Sequence, residues 1–410
     1  MIPVEQALQT ILTTVSTLPP EPVDLYQALG RVLAEPVTAH EHLPPFDNSA
    51  MDGFAVRVAD VQAATADQPV ELPIASEVAA GERADVALAS GQAIRIMTGA
   101  PTPPGAEAVI RVEDTEVVGD RVRLKVSAPL GDNIRRAGED VAAGTEVLAA
   151  GMVLTPARLQ MAAAVGRPVL SAIRPVRVGI LATGDELVDL ADPLLPGQIR
   201  NSNAYGLYAQ VLAAGAIPVP LGVAKDTRAD TEAKLRAGLA AADVVVSSGG
   251  VSMGEYDFVS EVLAELGTVH FTAIAQQPGK PLTYATVAGK PFFGLPGNPV
   301  STMVSFELYV RPALRKMMGH AALFRPEVEA ELAGPLKSPA GKRSFLRAVV
   351  TRSGDRWIAA LTGPQGSGMI HSMVNANALL VIPEQTRRME AGERVKALLI
   401  EQPEEDRGGV

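Results

Sequence analysis

Apolar positions change their spacing along this chain, and the changes divide it before any single residue is considered. Pro3 to Thr14 carries a helical period, and Leu25, Ala28, Leu29 and Val32 resume it beyond a Pro-rich passage. From Asp47 to about Val147 the runs shorten to strand length, as in Q-A-I-R-I-M and D-R-V-R-L-K-V, and Gly, Asp and Pro separate them. Helical spacing returns at Thr155, with Thr155 as the expected cap, Pro156 at the first helical position, and Gly166 with Pro168 as the stop. The expectation is a β-rich domain over 47–147 inserted into a helical linker domain made of 1–46 and 148–173.

Over 174–320 the order becomes strand, loop, helix, repeated. V-R-V-G-I-L-A, V-V-V-S-S and K-P-F-F-G-L are short apolar runs, and amphipathic segments such as Ala204, Leu207, Tyr208, Val211 and Leu212 follow. Fully apolar strands alternating with helices predict a central, mainly parallel sheet covered by helices, with ligand-binding loops at the carboxyl ends of its strands. In 321–410 the helical pattern fades, and strands are expected at Val328–Leu332, Ser344–Val350, Trp357–Leu361, Leu379–Ile382 and Val395–Ile400. The fold class is therefore α/β multidomain, with a central substrate-binding domain, an inserted β-rich domain and a C-terminal β domain.

Composition narrows the chemistry. With 410 residues the chain exceeds what one core usually serves, and 47% apolar content marks an ordinary globular protein. It contains no Cys, which excludes disulfides, zinc–thiolate sites and cysteine nucleophiles. A net charge of -10 without any block of five Lys or Arg argues against nucleic acid as a partner. The N-terminus lacks the pattern of a signal peptide, and Asn203, Gln210, Pro218 and Pro220 interrupt the longest uncharged stretch, so the expected location is cytoplasmic, without membrane association.

Several loops carry residues suited to anions and hard metals. In G-G-V-S-M-G-E-Y-D, Gly249 and Gly250 let backbone amides approach a ligand, with Ser248 and Ser252 as nearby hydroxyls; a strand-capping turn needs the same glycines. T-G-D-E sets Asp185 and Glu186 directly after a buried strand, fitting Mg²⁺, a ribose or a helix cap. Glu186 and Asp257 form a metal clamp if both loops line one crevice. L-P-G-N-P is rigid through Pro296 and Pro299, and Q-P-G-K-P offers Lys280 as a point charge. In D-N-S-A-M-D-G, Asp52 is either a working carboxylate or a turn residue, and Thr98 in M-T-G-A-P is equally open. Arg135, Arg136 and Asp140 in N-I-R-R-A-G-E-D fit oxyanion recognition or a neutralised surface. None of the histidines belongs to a metal-binding motif.

Taken in order, D-N-S-A-M-D-G, I-R-I-M-T-G-A-P, N-I-R-R-A-G-E-D, T-G-D-E-L, S-S-G-G-V-S-M-G-E-Y-D, Q-P-G-K-P and G-L-P-G-N-P-V-S closely resemble the motifs of bacterial molybdopterin molybdenumtransferases, which are similar to the C-terminal enzyme domain of gephyrin. The resemblance implies an elongated four-domain homodimer that inserts metal from molybdate into adenylylated molybdopterin, with Mg²⁺ and release of AMP. It implies catalytic roles for Asp52, Thr98, Glu186 and Asp257, with Glu186 and Asp257 as metal ligands and Asp52 and Thr98 supplied by the partner subunit. It implies substrate contacts from Arg135, Asp140, Asp226, Ser248, Gly249, Gly250, Ser252, Lys280, Pro296 and Pro299. Further partners it implies are a molybdopterin adenylyltransferase or a molybdoenzyme acceptor. One segment departs from the pattern: Ala273 and Gln277 stand where relatives often carry a basic residue. A molybdopterin adenylyltransferase and a non-catalytic molybdopterin-binding or storage scaffold are the competing readings.

Overall fold

The computed structural model describes residues 1–82, 85–250 and 258–401. They form two compact units: Met1–Pro22, Gly30–Ala34 and the chain from Ser171 onward make one, and Val23–Leu29 with Glu35–Leu170 make the other.

At the centre of the first unit is a six-stranded sheet made of β1 (Arg177–Thr183), β2 (Ile217–Ala224), β3 (Val244–Ser248), β4 (Gly267–Ala273), β5 (Pro281–Val287) and β6 (Lys290–Leu295), in the order β2-β1-β3-β6-β5-β4. Strands β2, β1, β3 and β6 run parallel, and the β5 and β4 pairings extend the sheet antiparallel, so it is mixed with a parallel heart. The chain leaves β1 through α1 (Ser202–Ala213) to β2 on one side, then returns through α2 (Arg228–Ala241) to β3 on the other. Strand order thus reverses at β1, and that reversal opens a crevice above its carboxyl end. Pro218 and Pro220 are tolerated because β2 lies at the sheet edge.

Both faces are covered, which is why these strands read as continuous apolar runs. Val178, Ile180, Val246 and Phe293 pack with Leu207 and Val211 of α1 and with Val4, Ala7 and Ile11 of the N-terminal helix Val4–Thr14. Leu181, Val245 and Phe292 pack with Leu235 of α2 and with Val259 and Val262 of α3 (Phe258–Leu266). After β6 the chain enters α4 (Pro299–Ser305), continues through one π-helical segment, Phe306–Val310, and returns to α-helix at Arg311–Met317.

Glu327–Leu332, Arg343–Ser353, Arg356–Leu361, Ala378–Ile382 and Arg394–Leu399 each pair with two neighbours and close into a five-stranded barrel. Closure removes free strand edges within the ring. Each strand turns one alanine inward, Ala330, Ala348, Ala359, Ala378 and Ala397, small enough for the narrow interior that five strands enclose.

In the second unit, six strands lie in the order Ala108–Arg111, Gly53–Val56, Ala93–Ile96, Val70–Val78, Arg121–Leu124, Thr115–Val118. Phe54, Val56 and Ile110 face one core, and Ala55, Ile94 and Val109 the other. The helix Pro156–Ala164 starts at Thr155 with Pro156 in its first turn, although the Thr155 side chain makes no capping bond. The helical spacing over Leu25–Val32 is misleading. Leu25–Gln27 forms a single 3₁₀ turn and no helix continues from it: the Leu25 N–H donates to Pro168 O (3.3 Å), Gly30 takes a φ of +78°, and Leu29 is exposed although Ala28 and Val32 are buried.

Arg174 and Asp243 tie the amino edges of β1 and β3 together through a bidentate pair at 2.8 and 2.7 Å, and the Arg177 N–H donates to the same carboxylate at 2.9 Å. Burial pushes the Asp243 carboxyl up, but the Arg174 fork and the Arg177 amide outweigh it and hold the group below the ordinary carboxylate range. Its contribution to stability is therefore fully present above pH ~4 and is lost as pH falls through the lowered folded value. Asp243→Asn is expected to cost about 2 kcal/mol in urea unfolding near neutral pH. The difference from the unsubstituted protein should shrink on acidification; a pH-independent difference would contradict the ion-pair account.

Candidate functional site

Because β1, β3 and β6 are parallel neighbours, Thr183, Ser248 and Leu295 end at one edge of the sheet and their loops must share one space. The Gly249 N–H donates to Leu295 O at 3.0 Å, binding the second loop to the third. Gly249 and Gly250 have φ of +88° and +68°, and a Cβ on either would lie 2.9 or 2.8 Å from the Thr183 hydroxyl oxygen. Only glycine satisfies both conditions, so backbone rather than side chains forms this part of the wall.

The result is a crevice of about 400 Å³. Thr183, Glu186, Asp226, Ser248, Gly249, Gly250, Gly297 and Pro299 line it, together with Arg200, Asn201, Ser202 and Asn203 at the start of α1. Asn201 caps α1 by accepting from the Ala204 N–H (3.4 Å), and Asn203 Nδ2 donates to Gly297 O (2.8 Å), joining the helix start to the Pro-rich loop. The free amides and positive dipole end of a twelve-residue helix therefore open into the crevice. Arg200 is anchored through Nη1 to Asp192 O at 2.8 Å. Pro296 lies behind the wall, its carbonyl accepting from Thr302 Oγ1 at 2.5 Å.

The T-G-D-E carboxylates separate by environment. Asp185 Oδ1 accepts from the Asp226 N–H (3.1 Å), and Asp226 Oδ2 accepts from the Asp185 N–H (3.3 Å). This reciprocal exchange fastens the loops after β1 and β2 to each other. One carboxylate oxygen of each aspartate is engaged by it; Glu186 and Asp226 line the crevice, and Asp185 does not. Asp257 and Ser252 lie outside the described residues.

Pairing of Thr283 with Gly294 brings the start of β5, and Lys280 just before it, to the same sheet edge, but Lys280 is not part of the crevice wall. Its turn is held from below. Gln276, fully buried, donates through Nε2 to Pro278 O (3.1 Å) and Gly279 O (3.2 Å), while its Oε1 accepts from the Tyr309 hydroxyl of the π-helical segment. Burial pushes the Tyr309 hydroxyl pKa up, keeping it a donor.

In the second unit the three polar motifs also meet. Ser49 and Gly99 exchange backbone bonds with the Ala100 and Ser49 carbonyls, the Ala50 N–H donates to Asn133 O, and Arg135 pairs in register with Asn48. Asp52 Oδ1 accepts from both the N–H and the hydroxyl of Thr98, each at 2.7 Å. That amide first, and the hydroxyl second, hold the Asp52 carboxyl below the usual carboxylate range. Asp47 pairs with Arg136 at 2.6 Å, which accounts for one arginine of the doublet; Arg135 and Asp140 are exposed.

Three stretches match described families: residues 2–166 the MoeA N-terminal region (domain I and II), 179–316 a probable molybdopterin binding domain, and 329–400 the MoeA C-terminal region (domain IV). Molybdopterin molybdenumtransferase 2 of Mycobacterium tuberculosis is 43% identical over 383 residues, covering 92% of this chain and 94% of its own. The chain belongs to the molybdopterin molybdenumtransferase family. The Bacillus subtilis molybdopterin molybdenumtransferase is 36% identical over 404 residues, covering 97% of this chain and 94% of its own. A crystal structure of the molybdopterin biosynthesis moeA protein from Pyrococcus horikoshii superposes with a TM-score of 0.82 at 33% identity, covering 98% of this chain and 100% of that one. The whole crevice falls within the stretch matched to the molybdopterin binding domain.

Sequence reasoning passed over Thr183, Arg200, Asn201, Ser202 and Asn203. The R-N-S-N run ahead of an amphipathic helix carries a capping signal that marks an anion-facing helix start once the preceding strand is placed. No helix of the described residues is long and apolar enough to cross a membrane.

The Thr183 hydroxyl is buried with no partner among the described residues. An unpaired buried hydroxyl costs roughly 1–3 kcal/mol. Thr183→Val is therefore expected to leave unfolding free energy unchanged or to raise it; a loss above about 1 kcal/mol would reveal a structural partner. For Asp52, carboxyl titration followed by NMR should give a midpoint below the ordinary ~3.9, and Thr98→Val should move it upward. An unchanged midpoint in that variant would refute the hydroxyl's share and leave the Thr98 amide as the cause.

Proposed function

We propose that this molybdenumtransferase inserts molybdenum from molybdate into adenylylated molybdopterin and releases AMP, with the crevice above β1, β3 and β6 as the place of reaction. The observation that carries this reading is the shared crevice itself. Glycine amides, a helix N-terminus, Arg200 and two carboxylates line one space inside the stretch matched to a molybdopterin binding domain. Amides and the helix end suit the phosphates of the substrate. Gly297 and Pro299 supply a wall with few internal degrees of freedom, which favours alignment of the reacting groups. The chain has no Cys, so the soft ligands for molybdenum are the two dithiolene sulfurs of the substrate.

Mg²⁺ fits the donor chemistry of the crevice. Among the described residues no three acidic or histidine side chains gather to hold a metal, but Mg²⁺ commonly takes one or two carboxylates and completes its shell with phosphates and water. Glu186 and Asp226 would hold it, with Asp257 as a further candidate ligand, and the chemistry it supplies is neutralisation of phosphoanhydride charge. Ser248, Gly249, Gly250 and Pro299 contact the substrate, Pro296 braces that wall, and Ser252 and Lys280 contribute polar contacts. In a cytoplasmic homodimer, Asp52, Thr98, Arg135 and Asp140 form a second polar cluster directed at the same substrate. The ionised state of Asp52, held by Thr98, supports that role.

Purified protein given adenylylated molybdopterin, molybdate and Mg²⁺ is expected to yield metal-loaded cofactor and AMP. ATP consumption with pyrophosphate release would instead identify an adenylyltransferase, and binding without turnover a scaffold. Glu186→Ala should slow AMP release by at least ~100-fold; unaltered turnover removes Glu186 from the mechanism.

A further inference from the structure

Residues 273–280 carry a single charged side chain, Lys280, which is exposed and has no ion-pair partner among the described residues. The chain ahead of it is held from outside: the Ala275 N–H donates to Ile2 O (2.8 Å), and the Arg343 N–H to Ala275 O (2.9 Å). The turn that presents Lys280 has a different support. Its backbone closes through the Ile274 N–H on Lys280 O (2.9 Å), with Gly279 at a φ of +89°, and a Cβ there would stand 2.6 Å from Ser305 Oγ and 2.8 Å from Gln276 Nε2. Both side chains therefore lie directly beneath the turn. Gln276 commits its whole amide, donating to Pro278 O and Gly279 O and accepting from the Tyr309 hydroxyl, whereas the buried Ser305 hydroxyl has no partner among the described residues. Tyr309 comes from the π-helical segment Phe306–Val310, whose extra residue swings the side chains after it by about 100° around the helix axis.

Register carries this turn to the rim of the crevice. Thr283 of β5 pairs with Gly294 of β6, and counted on from there Lys280 stands level with Gly297, which lines the crevice. The gap is one strand spacing, about 4.8 Å, within reach of a lysine stem. We infer that Gln276 and Tyr309 are positioning residues for the reaction: they set the root of Lys280, and through it the place of an amine that binds a tetrahedral oxyanion, either a phosphate of adenylylated molybdopterin or molybdate itself. The inference rests on the reading given under Proposed function and adds the two residues through which Lys280 acts. Burial of a carboxamide and a phenol costs free energy unless both are hydrogen-bonded, and a satisfied pair rigidifies what it holds. Both side chains are fully buried, and what they hold is the turn. Ala273 and Gln277 leave no second amine in the segment to take over the role.

Steady-state kinetics of AMP release by the full chain test this, with adenylylated molybdopterin and molybdate varied in turn. Lys280→Ala, a surface substitution, is expected to raise KM for at least one of the two about tenfold and to leave kcat within about twofold; the KM that rises identifies the oxyanion. Tyr309→Phe and Gln276→Met, which nearly conserve volume, should each raise the same KM about three- to tenfold. In the Lys280→Ala background neither should raise it further, because the effect passes through the amine. Ser305→Ala, which removes a hydroxyl from the same cradle, should leave both constants unchanged. Additive effects in the double variants would mean that Gln276 and Tyr309 support the fold alone, and they overturn the inference while insertion stands. Lys280→Ala with both KM values unaltered overturns it equally, without any buried substitution. Absence of AMP release by the unsubstituted protein removes the reading under Proposed function, and the inference with it.

Discussion

The parallel pairing of β1 with β3 and of β3 with β6 is the constraint on which the polar crevice depends, because it alone brings Thr183, Ser248 and Leu295 to a common edge. Side chains alternate along a strand, so a slip of one residue would turn Ile180 and Val246 from one core to the other and carry each loop about 3.3 Å along the sheet. Burial on both faces forbids that slip. The apolar interior therefore fixes the geometry of residues that are not apolar, and the close approach of Gly249 to Thr183 follows from it.

Electrostatics then decides what such a crevice is suited to hold. Glu186 and Asp226 contribute two carboxylates, Arg200 the guanidinium, and the start of α1 a partial positive charge spread over its free amides. In a chain of net charge -10, anion capture by amides and a helix end avoids the need for a basic cluster. Ala273 and Gln277 are consistent with that economy. Where one amine is retained near the sheet edge, at Lys280, a fully buried Gln276 with Tyr309 fixes the turn that carries it. The π-helical segment that delivers Tyr309 follows directly on α4, whose first residue, Pro299, lines the crevice.

The second unit solves a similar problem with different parts. Its three motifs, near 47–53, 96–101 and 133–140, are brought together by backbone bonds among Ser49, Gly99, Ala50 and Asn133. That frame sets Asp52 against Thr98 and uses Arg136 to neutralise Asp47, so only one arginine of the doublet remains exposed and uncommitted among the described residues.

Periodicity alone located β1, β3 and β6 of the central sheet and the strands of the C-terminal barrel, because strands buried on one or both faces carry their environment in the spacing of apolar residues, but it gave no sign of β4 and β5. The ordered motifs fixed the family. Local spacing carries no information on which distant strands pair, so only the tertiary structure closed the barrel, reversed the strand order at β1 and assembled the three motifs of the second unit. Nor does spacing separate adjacent carboxylates: Asp185 differs from Glu186 only because the Asp226 amide, forty-one residues away, takes its oxygen. Over Leu25–Val32 the period misled for the same reason, since Ala28 and Val32 are buried by distant parts of the chain without a continuous helix to carry them.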